Sequence, residues 1–164
     1  MDVNRPARLH LALPFVLVAA ALPLAAEPPA PGLASGTFAV GKMSAKISHA
    51  AAFVDESDAR KPVILVLANR ELPAAGWKKE SDLSSFRREK GFNGVAFWLD
   101  AKREVFRTDY FVVKEFPTSA SGLFDLKLES GTARGLMGTA RSTPAAGKLS
   151  EPVALDAAFH AVLK

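Results

Sequence analysis

Between Phe124 and Glu129 apolar and charged residues strictly alternate: Phe124, Leu126 and Leu128 against Asp125, Lys127 and Glu129. The last segment repeats the pattern over a longer run, with Val153, Leu155, Ala157, Phe159, Ala161 and Leu163 sharing one parity. Successive side chains on a strand point to opposite faces, so a period of two marks a half-buried strand rather than a helix. Segments of this kind must pair into a sheet and cover its apolar face.

Other stretches extend the pattern. "GTFAV" (36–40) reads as a strand, and Gly41-Lys42 is a candidate tight turn into a second strand over 44–54. There Ile47, His49, Ala51 and Phe53 share one parity, which puts a histidine in the middle of an apolar face. "VILVLAN" (63–69) and "VAFWL" (95–99) are apolar on both parities and suit strands covered twice. "NGVAFWLD" (93–100) and "EVFRTDYFVV" (104–113) form a hairpin through Ala101-Lys102-Arg103, and "ARGLMGTAR" (133–141) follows Gly131. "GWKKESDLSSFRREKGF" breaks the rhythm. Ser81 is the expected N-cap, Leu83 and Phe86 lie three apart, and Gly91 is placed to end a helix over 80–90. The expected fold is mainly β, an antiparallel sandwich or barrel of about eight strands with one short helix between the third and fourth.

The first 26 residues do not belong to this pattern. Arg5 and Arg8 precede the apolar "LALPFVLVAAALPLAA", which ends in small residues, the order of a secretory signal peptide. A spanning helix needs ~20 predominantly apolar residues, and this run is interrupted by Pro14 and Pro23. Cleavage is expected after Ala26, with Leu24 larger than ideal at the third position before the bond. Residues 27–35 form a Pro-rich exposed leader, and 36–164 one domain that can bury ~68% of its unfolded surface without a staple. No cysteine is present, so disulfides and thiol chemistry are excluded. Residues 27–164 hold 19 basic and 16 acidic side chains, a formal charge of +3 and no nucleic-acid signature. The chain is expected to be exported, periplasmic or secreted, with no transmembrane anchor after cleavage.

The succession "SGTFAVGKMSAKISHAAAF", "VILVLANRELP", a short helix, "GFNGVAFWLD" and a closing "VALDAAFHAVL" resembles a family of small secreted bacterial proteins that are themselves uncharacterised. The resemblance implies a β-rich exported domain. It brings no activity and no functional residues.

Chemistry-bearing residues are sparse. No G-x-S-x-G occurs, and no serine has a lysine three positions on. His49 and His160 are the histidines outside the expected signal, and His160 lies ~13 Å along its strand from Asp156. Two histidines without cysteine are poor zinc ligands. "DESD" (55–58) lacks the spacing of a calcium loop and reads as a solvated turn. Lys78-Lys79, "RREK" (87–90) and "AKR" (101–103) form mixed-sign faces, solvated or in peripheral contact with anionic lipid or polysaccharide. The aromatic hairpin offers a sharper reading, in which Trp98, Tyr110 and His49 line a cavity for an apolar or sugar-like ligand. The expected function is an exported non-enzymatic binding or interaction domain of unknown specificity, its partner a protein or a small ligand. A barrel-type carrier of a small ligand is the alternative, and a hydrolase with an unrecognised site the third reading. None implies a cofactor, and no catalytic or metal-ligating residue is assigned.

Overall fold

The computed structural model describes residues 27–132 and 134–164; the expected signal segment and its cleavage bond lie outside the described residues. Alternation becomes nine strands: β1 (Leu33–Val40), β2 (Met43–Val54), β3 (Val63–Ala68), β4 (Gly94–Leu99), β5 (Val105–Phe111), β6 (Thr118–Ser119), β7 (Phe124–Thr132), β8 (Gly135–Ser142) and β9 (Val153–Leu163). One helix, α1 (Glu80–Lys90), sits between β3 and β4 as expected. The strands form one sheet in the order β6-β5-β4-β3-β2-β1-β9-β8-β7, and all neighbours in that order pair antiparallel. The sheet curls into a half-barrel whose end strands, β6 and β7, are not joined. The ninth strand, absent from the expected count, is β6; two residues give too little alternation to detect.

The concave face holds the main core. Phe38, Ile47, Leu65, Phe97, Leu136 and Phe159 meet there, each fully buried. The parity of β9 is as expected, with Val153 through Ala161 inward and Leu163 half-buried against them. In β7, Phe124, Leu126 and Leu128 turn to the same interior. All six residues of β3 and of β4 are buried because α1 covers their other face. On that convex side Phe53, Ile64, Val66, Leu83, Phe92 and Trp98 pack together. Trp77 joins Phe53 and Phe86 through ring centroids 5.4 and 5.5 Å apart, in tilted and edge-on geometries that aromatic pairs prefer.

Two local features depart from the sequence expectation. The helix spans 80–90 as expected, but its N-cap is Lys79 rather than Ser81, and the Asp82 carboxylate accepts the N–H groups of Lys78 and Lys79 at 2.9 and 3.1 Å. An ionised carboxylate is a stronger acceptor than a serine hydroxyl. Gly91 ends the helix with φ +62°, its N–H donating to the Arg87 carbonyl at 2.9 Å.

The second departure lies in β2. Ile47 faces the concave core, but so do Ala50 and Ala52, while Phe53 faces the helix side. The alternation therefore slips between Ile47 and Ala50. The β1–β2 register shows the irregularity: Leu33 opposes His49, and the next partner pair is Gly36 with Ile47. A bulge bends a strand and raises its twist. Beyond Leu33, the start of β1, strands β2 and β9 meet directly in parallel at Ala51–Val162. The strand β1 also starts three residues earlier than the sequence suggested, inside the Pro-rich leader.

Candidate functional site

The three residues proposed to line one cavity fall in three places. Tyr110 turns to the concave core, half-buried, its ring 6.1 Å from that of Phe38. Trp98 lies on the opposite face beneath α1. His49, through the slip in β2, opposes Ala68 on the convex side and borders a surface depression of about 460 Å³ with Leu33, Leu72, Glu71, Val162 and Lys164. Its Nδ1 is hydrogen-bonded to the neighbouring Ser48 Oγ at 2.9 Å. Among the described residues no carboxylate bonds its ring. His160 occupies the same convex row, since Leu33 pairs with His49 on one side and His160 on the other.

Trp98 instead belongs to an ionic cluster. The Arg107 guanidinium lies over its ring at 4.0 Å and pairs with Glu80 of α1 at 3.0 Å and with the buried Asp109. Burial opposes the charge on Arg107, but the hydrogen bond to Asp109 and the charges of Asp109 and Glu80 outweigh it and hold its pKa above the usual value. The cluster clamps the start of α1 to β5. Arg107→Met keeps an apolar stem over Trp98 while leaving Asp109 unpaired. That variant is expected to lose about 1–3 kcal/mol in urea denaturation, with a red-shifted tryptophan emission; an unchanged midpoint would remove the clamp.

Two of the three "DESD" carboxylates, Asp55 and Asp58, are used within their own loop. Asp55 accepts from the backbone N–H and hydroxyl of Ser57, at 2.9 and 2.6 Å. Asp58 accepts from the side chain and backbone of Arg60, which hold its pKa at about 2.

Another candidate site lies at the C-terminal end of α1. The loop from β5 to β6 runs beside the last helical turn, and a groove of about 450 Å³ lies between them. Arg87, Arg88 and Lys90 come from the helix, and Val113, Lys114 and Phe116 from the loop. Arg70 reaches the same end, its Nη1 donating to the Lys90 and Gly91 carbonyls at 2.6 and 2.9 Å. Cations at this end offset the negative pole of the helix and cap its carbonyls, which explains several charges without any ligand. It does not explain Phe116, which is 89% exposed, or Val113, at 40%.

The loop is held rather than loose. The Val113 N–H donates to Asn93 Oδ1 at 2.9 Å, and Asn93 is itself tied to Asn69. Arg87 Nη1 donates to the Glu115 carbonyl at 2.9 Å, and the Glu115 N–H to the Val112 carbonyl at 3.1 Å. Lys114, at the bend, has φ +70°, a conformation disfavoured for residues with a Cβ. The bend and its tethers present Val113 and Phe116 to solvent as a fixed apolar tip. The sequence singled out Arg87 and Arg88 but not Phe116; its signal was an aromatic in "VVKEFPT" just past the end of a strand pattern.

A second depression, of about 480 Å³, separates β5 from β7, where the half-barrel stays open. Val105 and Phe106 are about two-fifths exposed beside it, and Arg60 stacks on Phe106 at 4.8 Å. The free edge of β7 carries the outward charges of Asp125, Lys127 and Glu129, which discourage strand addition. Comparison of the chain with protein-family models, curated proteins and solved structures returns no match.

Proposed function

We propose that the protein is an exported, non-enzymatic interaction domain that engages its partner through the Phe116 tip and the cations around it. The observation that carries this reading is the 89% exposure of Phe116 on a loop fixed by side-chain hydrogen bonds. Leaving a large apolar side chain in water forgoes about 1.5–3 kcal/mol of burial. A tethered loop that holds it there is organised for contact. The polar groups that converge at Arg107, Glu80 and Asp109 are paired with one another, which favours binding over catalysis there. The order of the first 26 residues and the resemblance to small secreted proteins support export.

Hydroxyl-radical footprinting tests the reading without naming the partner. With the full chain expressed in a bacterial host, oxidation of Phe116 in intact cells is expected to fall several-fold below that of the purified protein. Phe106, exposed on another face, serves as the reference. Equal labelling of Phe116 in both settings would remove the tip as a docking site.

A further inference from the structure

We infer that the partner of the Phe116 tip is the surface of an anionic phospholipid bilayer; this rests on the docking reading above. Charge complementarity selects it. Arg70, Arg87, Arg88, Lys90 and Lys114 face Glu89 and Glu115, a formal +3 at this one end of the helix. Residues 27–164 carry +3 in all, so the remainder of the domain is formally neutral. The attraction to an anionic surface is thus concentrated where the apolar tip projects.

The arrangement also matches the layering of a bilayer surface. Phe116 and Val113 form the protruding apolar part and enter the acyl boundary. Arg88, Lys90 and Lys114 flank them on long stems and place their charges among lipid phosphates, as such side chains do at interfaces, while Arg70 and Arg87, held on backbone carbonyls, add to the local positive potential. Among the described residues no helix is long and apolar enough to cross a membrane. One exposed phenylalanine and a few charges give reversible binding, sensitive to salt.

Sedimentation with vesicles tests this. The probes are one-third phosphatidylglycerol in phosphatidylcholine, and phosphatidylcholine alone. The purified protein is expected to pellet with the first and not the second. Binding is expected to vanish between about 0.1 M and 1 M salt, where the Debye length falls from about 10 Å to about 3 Å. Each basic residue near such a surface is worth a factor of about five in partition. Arg88→Gln together with Lys114→Asn should therefore weaken binding about 25-fold, and Phe116→Ser about tenfold or more. All three side chains are exposed, so the variants should melt with the wild type, and Arg141→Gln, a charge removed outside the patch, should bind as the wild type does. Failure to pellet with phosphatidylglycerol vesicles, or equal pelleting of all variants, would overturn the bilayer as partner. If Phe116 is nonetheless protected in cells, the docking reading stands and only its partner changes; loss of that protection sinks both.

Discussion

Phe97→Ala is expected to cost about 3–5 kcal/mol, the range for truncating a fully buried phenylalanine. Its ring, on β4, meets that of Phe124 on β7 edge-on, with centroids 6.4 Å apart and planes at 73°. These strands lie six places apart in the sheet order, so the contact does not follow from pairing. It spans the interior of the half-barrel and fixes how far the sheet curls. Among the described residues no hydrogen-bonded ladder joins β5 to β7, so the packing of these two rings has to do what closure does in a full barrel. A domain of this size is stable by about 5–15 kcal/mol, so the variant would sit near the edge of folding. The measurement is a urea titration followed by far-UV circular dichroism. A loss under about 1 kcal/mol would mean that the site relaxes into the space left by the ring, and that the curl is set by the strands alone.

Much of this architecture was legible because burial imposes a period. In β9 the apolar parity runs unbroken from Val153 to Ala161, and the structure keeps it. The doubly apolar β3 and β4 announced a layer on each face, and α1 supplies the second. What the sequence could not reveal are the places where one residue changes the phase. Reading Ile47, His49, Ala51 and Phe53 as one face assumed a regular strand. The slip after Ile47 sends His49 to the convex side and removes it from any company with Tyr110. Trp98 and Tyr110 are twelve residues apart on partner strands, and parity alone separates them once the hairpin register is known: Trp98 opposes Arg107, and Tyr110 opposes Val95. The exposed tip was hidden for another reason. Phe116 lies in a loop, where no periodicity distinguishes a buried aromatic from an exposed one, and only the hydrogen bonds of Asn93 and Arg87 reveal that the loop is held open.

Gly36 carries the strongest expectation for a single added methyl group. The sequence placed it at the start of a strand, as a boundary. In the structure it lies inside β1, between the slip in β2 and the ladder with β9, opposing Ile47 on one side and Ala157 on the other. A Cβ there would lie 2.1 Å from the Asp156 carbonyl oxygen and 2.5 Å from the Ala157 Cα. Both obstacles are backbone of a central strand, so neither can rotate away, and glycine in a strand interior commonly marks such close approach. Gly36→Ala must therefore push β1 from β9 or distort the sheet there. The expected cost is about 3 kcal/mol, at the upper end for overpacking, which lowers the melting temperature by roughly 10 °C in a domain of this length. Gly147→Ala provides the comparison, because its added Cβ meets nothing within 4 Å; it should melt within a few degrees of the wild type. The two variants also separate fold from function. Gly36 lies in the half of the sheet that α1 does not cover, so the alanine variant, while folded, should keep the vesicle affinity of the wild type even as its melting temperature falls. If it melts like the Gly147 variant, the sheet accommodates the added methyl group and the close approach of β1 to β9 is not a constraint on the half-barrel.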